Sequence, residues 1–182
     1  KSISASKSEV LNVRNLYTRR TELSNRGTIR IKDSSGRLIY LLVGKWGLSP
    51  GVLSVYNVTG ERLAEIKQRT LGFFPKFDLY DRRHHVGSLR RYYGISHEML
   101  FVKGLNWFII GNLMTFNYKV YHGRQCIMTI SEVQTATGNA LEFHIAEQAD
   151  EPLCFCIAAI LDYWARLDLK AKNKAYYGKL AW

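Results

Sequence analysis

Apolar and polar residues alternate with a period of two along much of this chain, and the alternation recurs at a fixed step. Ile29 and Ile31 share one face while Thr28, Arg30 and Lys32 share the other. Twenty-four residues on, Leu53 and Val55 oppose Ser54 and Tyr56. A second step of 24 sets Phe77 and Leu79 against Lys76, Asp78 and Tyr80. A period of two with one apolar face predicts a strand that buries one side. Each strand runs into a turn signal: "DSSG", "NVTG" and the glycine-free "DRRH". Asp and Asn bond their own backbone two residues on, and Gly supplies positive φ, so each unit predicts a hairpin. A fourth copy lies at 118–130, with His122-Gly123 at its turn.

Shorter apolar or alternating runs at 15–20, 98–102, 107–112 and 140–145 bring the count to about twelve strands. Turn signals every 8–12 residues predict an antiparallel sandwich or barrel. One segment breaks the pattern. "DEPLCFCIAAILDYWARLD" opens with acids and a proline, a helix start signal. Residues 153–161 are apolar on every side, which forbids a surface helix, while Asp162 and Arg166 are expected where its end reaches water. Eight strands fill their own barrel and sixteen leave a channel, so twelve leave a hole. A helix about 10–12 Å across fits such a hole. The expectation is mainly β: a closed antiparallel barrel of about twelve strands around a central hydrophobic helix at about 152–167. Residues 1–13 read as a polar leading segment, 14–168 as the domain, and 169–182 as a basic tail.

Composition narrows this. The 182 residues are 47% hydrophobic, so the chain folds rather than staying disordered. The longest apolar run, 153–161, is far short of the roughly 20 residues a membrane-spanning helix needs. Cys126, Cys154 and Cys156 are odd in number and lack disulfide spacing, which predicts a reducing, cytoplasmic setting. The formal net charge of +11 is uneven: residues 1–95 carry 18 Lys or Arg against 7 acids, and 96–163 carry 3 against 7. An uneven basic excess favours a polyanion, either an anionic membrane surface or nucleic acid.

The stretch "LSVYNVTGERLAEIKQRTLGFFPKFDLYD" at 53–81, with the apolar closing helix at 153–161, resembles the LURP-one-related (YxjI-like) family. The resemblance covers residue 15 to about 167. It implies the tubby C-terminal fold shared with phospholipid scramblases, a twelve-stranded barrel around a hydrophobic helix. Tubby domains bind phosphoinositide headgroups through paired basic side chains, and scramblases act at membranes. The resemblance therefore implies lipid contact. The pair itself has no residue-by-residue equivalent here, and the scramblases' proline-rich start and cysteine cluster are missing.

Candidate chemistry points the same way. Adjacent His84 and His85 point to opposite faces of a strand and fit a turn better than a metal site. There is no GxSxG, GxGxxG or P-loop. No catalytic residue, cofactor or metal is therefore expected. Basic residues offer more: Lys45, Lys67, Arg69, Arg82, Arg83, Arg90 and Arg91 are the expected headgroup contacts. The loop aromatics Trp46, Phe73 and Phe74 either enter the membrane boundary or cap the barrel end. The function expected is a non-enzymatic binding or scaffold domain, peripheral at anionic membranes. The alternatives are a nucleic-acid-binding or transcription-linked protein, and an enzyme acting on a small molecule at the barrel mouth.

Overall fold

A computed structural model describes residues 14–23, 27–45, 51–70, 75–92, 98–112 and 114–179, with backbone alone at 45, 91, 92, 98 and 169–179. Twelve antiparallel strands close into a barrel. They are β1 (Asn15–Arg19), β2 (Thr28–Asp33), β3 (Leu38–Lys45), β4 (Val52–Asn57), β5 (Arg62–Gln68), β6 (Phe77–Asp81), β7 (His84–Tyr92), β8 (Glu98–Lys103), β9 (Trp107–Asn112), β10 (Asn117–His122), β11 (Gln125–Thr135) and β12 (Gly138–Ile145). Each pairs with its neighbours in sequence, and β1 pairs with β12 from Asn15↔His144 to Arg19↔Ala140. A four-residue helix α1 (Arg20–Leu23) follows β1, and a long helix α2 (Glu151–Lys179) follows β12. Closure leaves no free sheet edge to recruit other chains.

The 24-residue repeat is real down to its hydrogen bonds. Asp33 Oδ1 accepts from the Ser35 N–H at 3.0 Å and the Arg37 N–H at 3.0 Å. One step later Asn57 Oδ1 accepts from the Thr59 N–H at 3.1 Å and the Glu61 N–H at 2.9 Å. Gly36 and Gly60 take φ of 82° and 85°, a region other residues avoid. The third copy shortens: Arg82 itself takes φ 52°, and His84 and His85 begin β7 instead of lying in the turn. A β-bulge also recurs, between Ile31/Lys32, Val55/Tyr56 and Leu79/Tyr80, with a fourth at Val120/Tyr121. Each bulge bends its strand and adds twist, which helps the sheet curl shut.

The inward residues of all four units are core: Ile29, Ile31, Leu53, Val55, Phe77, Leu79, Tyr118 and Val120 are buried. Inside them lies α2, buried without interruption from Glu151 to Asp162. It enters at the end of the tight hairpins, here the proximal end, and leaves at the distal end. Phe155 sits between Tyr40 on β3, ring centroids 5.4 Å apart, and Phe143 on β12, at 5.2 Å. Trp164 meets the edge of Phe77 at 5.6 Å. At the proximal end the buried Glu151 accepts the Tyr40 hydroxyl at 2.6 Å and Arg14 Nη2 at 2.7 Å.

Two details differ from the sequence expectation. The helix begins at Glu151 and continues past 167 to Lys179, because its 169–179 stretch is built of good helix formers such as Leu, Ala and Lys. Asp162 is also still inside, 3% exposed, and Leu167 is the first exposed residue of the helix among those described. Burial pushes the Asp162 carboxyl above its ordinary pKa, against the pull of Arg166, 2.9 Å away, and of Arg20.

Candidate binding surface

The outer wall carries the polar chemistry, and its most connected part crosses β4 to β7. Alternation turns Glu65, Lys67 and Arg69 outward, since Ala64, Ile66 and Gln68 between them are buried. Glu65 accepts Ser54 Oγ at 2.9 Å and Arg62 Nη1 at 2.9 Å, and pairs with Lys67 at 3.0 Å. Asp78 takes Arg69 Nε at 2.7 Å, with Lys76 and His85 each 3.6 Å away. Tyr80 ties the two acids' partners together: its hydroxyl accepts Arg69 Nη2 at 2.7 Å, and Lys67 Nζ stands 4.8 Å from its ring centre. Burial works against charge on Glu65 and Asp78. The surrounding hydrogen bonds and cations outweigh it and hold both carboxyls below their ordinary range.

The seven expected basic contacts therefore do not form one group. Lys67 and Arg69 lie toward the distal end and are already engaged with acids. Arg82 and Arg83 form the β6–β7 turn at the proximal end, about 20 Å along the strand from Arg69. Arg82 there faces Glu61 at 3.6 Å. Arg90 is exposed near the distal end of β7 and meets no acid among the described residues. Lys45 and Arg91 end their strands at the same distal end, Arg91 opposite Leu100 in register, but their side chains lie outside the described residues. Trp46, Phe73 and Phe74 lie outside them as well.

Register adds what the sequence alone does not show. The Arg69 N–H bonds the Lys76 carbonyl at 2.8 Å, and Phe77 faces Leu89. One further residue along that register puts Lys76 between Arg69 and Arg90. Three cations thus line up across three adjacent strands, within about 10 Å. Like charges side by side on a sheet are unfavourable, and the single carboxylate of Asp78 serves two of them. From the same end α2 emerges, and its stretch beyond Asp168 holds Lys170, Lys172, Lys174 and Lys179 with no acid.

Inside the barrel, the thiols of α2 offer little reactive chemistry. Cys154 and Cys156 are wholly buried, and burial pushes both thiols far up, away from the thiolate. Among the described residues no three His, Cys, Asp or Glu come together to hold a metal ion. Nor is any helix among them long and apolar enough to cross a membrane.

A twelve-stranded barrel closed over a hydrophobic helix defines a domain of the tubby-like class. The chain belongs to the LURP-one-related family, whose sequence profile matches residues 14–162. It is 22% identical over 147 residues to the uncharacterised protein YxjI of Bacillus subtilis, covering 81% of this chain and 91% of YxjI. It is also similar to the X-ray structure of a protein from Arabidopsis thaliana. That likeness has a TM-score of 0.57 at 13% identity, covering 82% of this chain and 89% of the other, and concerns the fold alone. Fold and family together point to a binding domain.

Proposed function

We propose that the protein is a non-enzymatic binding domain that docks the distal end of its barrel on an anionic phospholipid surface. The observation that carries this reading is the row Arg69–Lys76–Arg90 beside the exit of a lysine-bearing helix. Cations close to an anionic leaflet each add on the order of 1 kcal/mol, so a cluster is needed for stable contact. Lys45 and Arg91 belong to the same end by backbone position. Arg82 and Arg83 do not, and take no part. The free thiols Cys126, Cys154 and Cys156 support a reducing compartment, and hence the cytoplasmic leaflet.

The test is co-sedimentation with phosphatidylcholine vesicles, with and without phosphatidylserine, beside binding to a single-stranded oligonucleotide. Arg90→Glu, and Lys170→Glu with Lys172→Glu and Lys174→Glu, leave the paired network around Glu65 and Asp78 intact. Expected is binding to the anionic vesicles only, weakened by each variant and by salt. Indifference of the wild type to anionic vesicles at low salt overturns the reading. Tighter binding to the oligonucleotide than to vesicles replaces it with nucleic-acid binding.

A further inference from the structure

The outward face of β8 and β9 is apolar where a solvated wall would be polar. Met99 faces Ile110 and Phe101 faces Phe108 across the strand pair, the two phenyl rings 4.7 Å apart. Met99 is 51% exposed, Phe108 43% and Ile110 42%. Met114, in the distal turn after β9, is 62% exposed and prolongs the block toward that end. Exposed large apolar side chains scattered singly are ordinary. A contiguous block with a polar rim marks a contact surface. The rim here is cationic: Arg90 stands opposite Phe101, Lys119 opposite Ile110, and Lys103 is the next outward residue of β8. The described outward positions of β7 to β10 carry no acid.

Three occupants compete for such a surface. A second copy of this chain would bring one cationic rim against another, with no acid at the described outward positions of these strands to meet it. An acidic amphipathic helix needs a groove, and the outside of a closed barrel is convex. A bilayer needs neither: it is deformable, its boundary accepts Phe, Met and Ile, and its headgroups supply the negative charge. Arg90 also joins this block to the cationic row on β5 to β7, so the two surfaces are continuous. We infer that the distal part of the β8–β9 block enters the interfacial layer of an anionic phospholipid leaflet, with Arg90 and Lys119 at the level of the headgroups. This rests on the membrane docking proposed above. It adds an inserted apolar element on strands, distinct from the loop aromatics.

The experiment uses vesicles of phosphatidylcholine with phosphatidylserine and the variant Phe108→Thr/Ile110→Thr, which keeps β-forming residues at exposed positions. Binding is expected to fall on the order of tenfold. Independently, an environment-sensitive dye on Ile110→Cys, in a Cys126→Ser background, should shift to the blue on vesicle addition. Lipids brominated on their acyl chains should quench it. If the threonine variant fails to fold, the dye alone decides. Full binding by the threonine variant with the dye still in water overturns the insertion and leaves the electrostatic docking standing. No binding by wild type overturns both. Self-association without lipid that Phe108→Thr/Ile110→Thr abolishes assigns the block to a second copy, and binding of an acidic helical peptide in place of vesicles assigns it to a protein; either overturns the inference.

Discussion

Replacing Phe155 by alanine tests the architecture where it is most exposed to failure. Around the barrel, β3 and β12 flank the pair β1 and β2, and that pair is the weakest joint in the wall: its register runs over Leu16↔Asp33 and Tyr17↔Lys32 only. Phe155 is fully buried and touches Tyr40 on one flank and Phe143 on the other. Phe155→Ala removes a phenyl ring and leaves a cavity that the helix backbone prevents from collapsing, a loss of about 3–5 kcal/mol. The two ring pairs supply about 0.5–1.5 kcal/mol each of that. Domains are stable by about 5–15 kcal/mol, so the variant should still fold, with a melting temperature lower on the order of 10 °C. Urea unfolding should show a lower midpoint at unchanged slope. Phe155→Leu, which refills most of the space, should cost about 1–2 kcal/mol. Hydrogen exchange supplies the location: amides of β1 and β2 should lose protection before those of β9 and β10. A loss below about 1 kcal/mol, or exchange rising equally around the barrel, would refute a helix that braces the seam from within.

Three further outcomes follow from other parts of the fold. The stabilisation held by Asp78, whose folded pKa is depressed, is complete above the unfolded carboxyl's ordinary value near 4 and fades as pH falls through the folded value. Asp78→Asn should therefore flatten the acid limb of a urea-midpoint profile, and parallel limbs would show the network contributes nothing. Glu151→Ala leaves Arg14 and the Tyr40 hydroxyl without their shared acceptor and should cost about 3–5 kcal/mol by denaturant titration, whereas Tyr40→Phe should cost about 1 kcal/mol. A Cβ on Gly111 would lie 2.3 Å from both the Asn117 carbonyl oxygen and Tyr118 Cδ1, so Gly111→Ala should cost about 1–3 kcal/mol in a thermal melt.

The hairpins were legible because each pairs an alternating strand with a turn signal: Asp33 with Gly36, Asn57 with Gly60 and His122 with Gly123, the glycine-free third being the least marked. The core helix was legible for the opposite reason, since nine apolar residues facing every way can only be buried. Its extension to Lys179 was not, because "LKAKNKAYYGK" carries no sustained apolar period to read. The cations could be named from the sequence, and a meander already sets the strands of Arg69 and Arg90 on either side of the strand at 76–80, about 10 Å apart. What the residues do not encode is which acids hold them: Lys67 pairs with Glu65 and Arg69 with Asp78 only once the register is set. The β8–β9 block did leave a sign, in "EMLFVK" and "WFIIGN", where apolar residues occupy both parities. A closed barrel has a single interior, so a strand apolar on both faces must expose one of them.

The core helix follows all twelve strands in the chain, and this orders the protein's synthesis. A ribosome releases all twelve strands before it releases residues 151–165, so the wall is made before anything exists to fill it. The first strand must also wait for the twelfth before β1 finds its second and longer pairing. Chains whose pairings span most of their length fold slowly and expose apolar surface meanwhile. Here the interval ends when α2 clears the exit tunnel. The barrel is thus a structure that completes in one late step, and the nascent chain is expected to depend on chaperones until that helix arrives.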